Sequence, residues 1–360
     1  MAKVDFAVVM AGGRGTRFWP RSRRAHPKQL IDIVGDRPML AQTIERVRPL
    51  VGRESIVVVT DRVCADSMQS IVPELPGESI IVEPAPRNTA ACIGLAALYL
   101  ERRLPDGVMA VLPADHAILD NEAFLDTLER AGEAARSGGV LVTIGIRPKK
   151  PETGYGYIMT STPIDGGEEA GLFDVEAFVE KPSIEKAEEY LRDGRYFWNS
   201  GMFIWKVSAI REAFEKYMPE LHRGLEAIAS KDGEPDWRET VGRVYDSLES
   251  VSIDYGVMER ADNVVMMEAS FDWDDVGSWA AIDPYMEADD RANRVRGRHI
   301  TLGSKDCTIY AGERVVATIG LEGLVIVDTT DALLICPKDR AQDVKAIVEI
   351  LEAEGLDEYL

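Results

Sequence analysis

The chain has 360 residues, but only four cysteines and four histidines. Cys64, Cys92, Cys307 and Cys336 lie far apart, each in apolar surroundings. That spacing argues against a disulfide framework and predicts core thiols in a reducing, cytoplasmic compartment. His26, His116, His222 and His299 are equally scattered, so no zinc-type ligand cluster is expected. No Ser/His/Asp or Cys/His set stands out for nucleophilic catalysis. Positive charge is also short: 41 Lys and Arg face 62 Asp and Glu, a formal net charge of −21. A pI near 4.7 opposes a surface that grips nucleic acid, because phosphate would be repelled in bulk. It does not oppose small phosphate ligands, which need only a local positive pocket. No apolar run approaches the roughly 18 residues of a membrane span. The Met-Ala-Lys-Val-Asp start has no apolar signal region, so neither anchor nor leader is expected.

The composition is otherwise that of a globular protein, 46% hydrophobic and 29% charged, long enough for one large domain and a smaller one. Over the first 270 or so residues, short apolar runs alternate with helical patterns. "DFAVVMA" (5–11), "SIVVVT" (55–60), "SIIVE" (79–83), "VMAVLPAD" (108–115) and "VLVTIGI" (140–146) are nearly continuously apolar, as strands covered on both faces are. In 121–137, Phe124, Leu128, Ala131 and Ala135 form one stripe of a helix. The alternation predicts an α/β fold with a doubly wound sheet, mixed but mostly parallel. Such sheets bind ligands beyond the carboxyl ends of their strands. Near residue 290 the texture changes to short strand-like pieces, from "RHITLG" to "ALLICP", followed by one helix with Val344, Ile347, Val348 and Leu351 on a face. The expected division is 1–289 and 290–360.

Against the acidic whole, residues 6–31 carry Arg14, Arg17, Arg21, Arg23, Arg24 and Lys28 and no Asp or Glu. The stretch opens with an apolar strand running into Gly12, Gly13 and Gly15. Glycines there let backbone N–H groups close on a bulky anion, and arginines add charge-assisted bonds. Neither common phosphate loop fits: glycine does not precede Lys28 as a Walker loop requires, and Phe18 replaces the last glycine of a dinucleotide fingerprint. A tight turn with a solvated arginine face is the bland alternative.

The full pattern is more specific. "AGGRGTRFWPRS" followed by "PKQL" closely resembles the signature of the sugar-1-phosphate nucleotidyltransferases, especially the mannose-1-phosphate guanylyltransferases. The resemblance continues in order through "EPAPRNTAACIG", "LPADH", "TGYGYI", "VEKP", "WNSGMF", "SIDYGVME" and "WDDVGSW" and into the C-terminal piece. Departures are small: an arginine-rich "RSRRAH" before Pro27-Lys28, and Ala91 where members often carry proline.

The resemblance implies a Rossmann-like nucleotidyltransferase fold with a small left-handed β-helix-like C-terminal domain. It also implies GTP and mannose 1-phosphate as partners, Mg²⁺ as cofactor, and GDP-mannose and pyrophosphate as products. The loop Ala11, Gly12, Gly13, Arg14, Gly15 and Thr16 would hold the GTP phosphates, with Arg17 helping and Lys28 on the α-phosphate and leaving pyrophosphate. Arg23 and Arg24 are as readily a solvated run. Glu83, Asn88 and Thr89 would read the base and Arg87 would reach base or phosphate, although Asn and Thr there are also good helix caps. Asp115 and Asp275 would bind the metal, Asp274 being the nearest misassignment. Gly156, Glu180, Lys181, Asn199 and Gly201 would hold the sugar phosphate, Glu180-Lys181 being otherwise a surface pair. Rival readings are another GDP-sugar made from a manno-heptose or glucose 1-phosphate, and a nucleotide-sugar-binding subunit without chemistry. Bifunctional members carry a further C-terminal isomerase domain; ending at Leu360, this chain is expected to be a guanylyltransferase only. A homodimer is also implied, with Val325, Ile326 and Val327 expected to be covered by a partner.

Overall fold

The computed structural model describes residues 3–164 and 171–360. Its organising element is the strand Phe6–Ala11, parallel to Ile56–Thr60 on one side and Val108–Pro113 on the other. Alternate side chains of this strand feed two separate cores. Ala7, Val9 and Ala11 pack with the helices Met39–Val51 and Asn121–Ser137. Phe6 and Val8 pack with Asn88–Glu101 and Val207–Tyr217 on the opposite face. That is why the run is apolar without interruption. The helix of the Phe124 stripe begins at Asn121, where the Asp120 side chain accepts the Ala123 N–H at 3.0 Å and so caps it.

Nine strands form the main sheet. Parallel pairing holds from Ile80–Val82 through Val108–Pro113 and again between Leu141–Ile146 and Val264–Glu268. The long strand Tyr196–Lys206 runs antiparallel between these two groups, and Tyr157–Pro163 and Leu172–Val179 add further antiparallel ladders. The sheet is therefore mixed, with parallel pairing less dominant than the sequence pattern implied. The arrangement matters for function: Gly12, Glu83 and Asp115 follow the carboxyl ends of parallel strands, and Asn199–Gly201 enter the same edge from the antiparallel neighbour.

In the C-terminal part, Arg294–Arg296, Thr308–Tyr310 and Leu324–Asp328 stack in parallel. His299–Leu302 and Val316–Ile319 form a second parallel ladder, as in a short β-helix. Leu333–Pro337 closes the stack antiparallel, and the helix Val344–Glu354 follows. One expectation is corrected here. Val325, Ile326 and Val327 are buried by this chain itself, Val325 and Val327 in a core shared with Phe18, Trp19, Ile31, Trp279 and Val348. Outward apolar residues of this part include Ile300, Leu302, Ile319, Leu333 and Ile335 instead.

Candidate active site

Gly12 and Gly13 are exposed, and a Cβ on either would meet nothing within 4 Å. Packing within the chain gives no reason for glycine at these places; open room for a ligand does. Gly15 is different, with φ 60° and a would-be Cβ only 2.2 Å from the Lys28 Cβ, so it lets the loop lie on Lys28. Among the described residues Arg17 has no hydrogen-bonding or ionic partner, whereas the other basic residues of the segment all have one. Arg14 pairs with Glu352, Arg21 with Asp32, Arg23 with Asp331, and Arg24 with Glu352 and Asp357. Arg23 and Arg24 are thus not a solvated run: they tie the loop to the C-terminal domain.

Lys28 is almost fully buried, 4% exposed. Its Nζ donates to Asp115 Oδ2 at 2.8 Å, to the Asp115 carbonyl at 2.9 Å and to the Asp275 carbonyl at 2.7 Å. Those three acceptors use the ammonium's three protons and draw together two distant segments. Burial alone would raise the Asp115 carboxyl, but the Lys28 ammonium and His116 hold it below its usual range. The Asp275 carboxyl is pushed up by burial, partly offset by His116, Lys28 and a 2.8 Å bond from the Tyr155 hydroxyl. Val276 sits at φ 49°, a left-handed conformation costly for a β-branched residue. This bend leaves the Asp274 carboxylate accepting the Val276 N–H at 2.6 Å, while Asp275 reaches the cleft. Asp115 Oδ1 and Asp275 Oδ2 remain outside these bonds. Among the described residues no three acids, histidines or cysteines are grouped to hold a metal. Two carboxylates, one of them short of compensating charge, suit a small hard divalent cation whose other ligands come from phosphate and water.

Two cavities meet at this pair. Arg14–Phe18, Lys28 and Asp115 line one of about 480 Å³. The other, of about 470 Å³, collects the residues assigned to base and sugar, together with Gly12 and Gly13. His116 and Asp275 line both. On the base side, Glu83 is buried and receives the Tyr245 hydroxyl at 3.2 Å; burial lifts its carboxyl to about 7, with Asp61 adding and Tyr245 opposing. Arg87 is pinned to the Tyr245 carbonyl at 2.5 Å. Asn88 Oδ1 accepts the Thr89 N–H at 2.8 Å, and the Thr89 hydroxyl accepts the Ile253 N–H at 2.8 Å. Thr89 thus ties the start of the helix Asn88–Glu101 to the Ile253 segment, and neither residue caps that helix. On the sugar side, a Cβ at Gly156 would lie 2.4 Å from Glu180 Oε2, so glycine there admits the carboxylate. Lys181, at φ 47°, lies 3.4 Å from Glu180 and is largely exposed. Asn199 gives its amide N–H to Asp254 at 2.7 Å and accepts the Gly201 N–H at 3.1 Å.

A profile described as nucleotidyl transferase matches residues 6–291, and one described as MannoseP isomerase/GMP-like beta-helix domain matches 297–351. A mannose-1-phosphate guanylyltransferase of Salmonella muenchen is 38% identical over 98% of this chain and 74% of its own length. That of Escherichia coli strain K12 is 37% identical over 98% and 75%. The chain belongs to the mannose-1-phosphate guanylyltransferase family. A solved structure described as mannose-1-phosphate geranyltransferase from Thermus thermophilus is 37% identical, with a TM-score of 0.86 over 98% of this chain and 100% of that one.

For a member of the guanylyltransferase family, three cleft residues were missed by sequence reasoning. His116 was set aside as one of four scattered histidines, yet it accepts Trp273 Nε1–H on Nδ1 at 3.0 Å beside the aspartate pair. Tyr155 steers Asp275. Asp254, a carboxyl raised by burial, holds Asn199. All three lie inside the quoted motifs "LPADH", "TGYGYI" and "SIDYGVME", which was the available signal.

Proposed function

We propose that the chain joins GTP and mannose 1-phosphate into GDP-mannose and pyrophosphate. The observation that carries this reading is the meeting of Asp115 and Asp275 at the Lys28 ammonium, where the two cavities join. A phosphate oxygen of the sugar phosphate, already anionic, forms a bond to the α-phosphorus of GTP while the bond to pyrophosphate breaks. No general base is needed. The obstacle is bringing two polyanions into line, which is met by positioning and charge neutralisation.

In this reading the N–H groups of Ala11–Thr16 and the unpartnered Arg17 take the GTP phosphates. Lys28 braces both aspartates and exchanges one of its three acceptors for a phosphate oxygen. Glu83, Arg87, Asn88 and Thr89 face guanine. Glu180 accepts sugar hydroxyls, Asn199 and Gly201 shape that pocket, Gly156 leaves room for it, and Lys181 meets the sugar's phosphate. Asp115 and Asp275 would hold Mg²⁺, which would supply positive charge to offset that of the reacting phosphates. A homodimer belongs to the same proposal, with light scattering as its measurement.

One assay tests the chemistry: GTP, mannose 1-phosphate and Mg²⁺, scored for pyrophosphate and GDP-mannose, beside manno-heptose and glucose 1-phosphates. Faster turnover of another sugar phosphate would replace the substrate. No turnover of any would leave a nucleotide-sugar-binding protein.

A further inference from the structure

The cavity behind Arg17 has a wall that the catalytic domain does not supply. Helix Val344–Glu354 of the C-terminal part presents Lys345, Val348, Glu349 and Glu352 to the same space as Arg14–Phe18 and Lys28. Val348 is 8% exposed and belongs to the core shared with Phe18 and Trp19, so the helix is seated on the glycine loop itself. Lys345 lies three residues earlier on the same helix face. Its amine is 3.4 Å from Glu349, and both side chains are more than half exposed, at 58% and 60%. Such a pair holds its partners weakly. Glu352 meanwhile reaches Arg14 at 3.4 Å. Arg14 and Lys345 are therefore lent to carboxylates of the helix, not committed to them.

We propose that Lys345 is a ligand of the β- and γ-phosphates of GTP, the part that departs as pyrophosphate. The inference rests on the phosphate-site reading above. Glu349 holds the ammonium while no nucleotide is present and yields it to phosphate oxygens, which carry more charge and accept more bonds. Lys345 does not line the cavity that contains Lys181, Glu180 and the base-facing residues, so its service is to the pyrophosphate end and not to the sugar phosphate.

The test runs the full-length enzyme in reverse, from GDP-mannose and pyrophosphate. Lys345→Met raises KM for pyrophosphate by about five- to thirty-fold, while KM for GDP-mannose stays within about twofold. Lys345→Arg restores most of the loss, and Glu349→Gln lowers KM for pyrophosphate. Calorimetric titration of pyrophosphate into the same variants follows the same order. Lys305→Met is the control, since Lys305 also belongs to the C-terminal domain, is also 58% exposed and pairs with Glu322 at 2.9 Å. If Lys345→Met matches Lys305→Met while Arg17→Ala still raises KM for pyrophosphate, the Lys345 assignment is overturned and the phosphate site stands. If Arg17→Ala is silent as well, both fall.

Discussion

Burial lifts the Glu83 carboxyl to about 7. In the proposed reading the carboxylate would accept guanine N–H groups; protonated, it would offer one acceptor fewer. KM for GTP should therefore fall as pH rises from 6 to about 8, and Glu83→Gln should flatten that slope while raising KM throughout. The sign for stability is opposite. The folded pKa lies above the unfolded value, so the folded state binds the extra proton. Stability from this group is full below about pH 4.5 and is lost as pH rises through 7. The aspartate pair makes a second test. Asp115→Asn and Asp275→Asn should each lower kcat by roughly 10²-fold or more. If both act through one cation, as proposed, the double variant should be little worse than either single one; multiplicative losses would separate their roles. The residue types were legible in the sequence because charge chemistry requires them. Their bonding was not, since nothing in "PKQL" says that Lys28 spends all three protons on Asp115 and Asp275.

Among elements, the turn after the short strand Trp273–Asp274 sets local preference against position, because Val276 is the β-branched residue among the non-glycine positions of positive φ. Val276 is fully buried yet left-handed. At an ordinary buried site glycine is less stable than alanine; here the order should reverse. Val276→Gly relieves the backbone where Val276→Ala does not, so it should be the more stable of the two by ~1 kcal/mol. Denaturant melts check this, and kcat should drop more in the glycine variant, whose Asp275 is less well aimed. Element existence was readable in part: the five apolar runs became strands and the Phe124 stripe became the helix Asn121–Ser137, but Tyr157–Pro163, Leu172–Val179, Tyr196–Lys206 and Val264–Glu268 were not anticipated. Direction was not readable. A strand buried on both faces is equally apolar whichever way it runs, so the antiparallel path of Tyr196–Lys206 left no mark. The pieces after residue 290 told of β structure, but not which face of Leu324–Asp328 would find cover within the chain.

Across the whole molecule, the two sequence regions share one apolar core. Phe18, Trp19 and Ile31 come from the N-terminal segment and Val325, Val344 and Val348 from the C-terminal one. Arg23 adds bonds to the Pro20 carbonyl at 2.7 Å and to Asp331 at 2.9 Å. Heating should therefore give a single calorimetric transition; two separated transitions would show that the seam is not cooperative. Arg23→Ala should lower that transition's midpoint, on the scale of about 1–3 kcal/mol for a lost charged bond. Arg17→Ala, without partners to lose, should leave the midpoint alone and depress GTP turnover.

The seam also bears on heredity. A β-helix grafted from another protein would have to arrive with side chains that fit around Phe18 and Trp19, next to the loop proposed to receive the nucleotide. Recombination near residue 290 would thus disturb the proposed phosphate site at the far end of the chain. These two regions can change, but only as a pair.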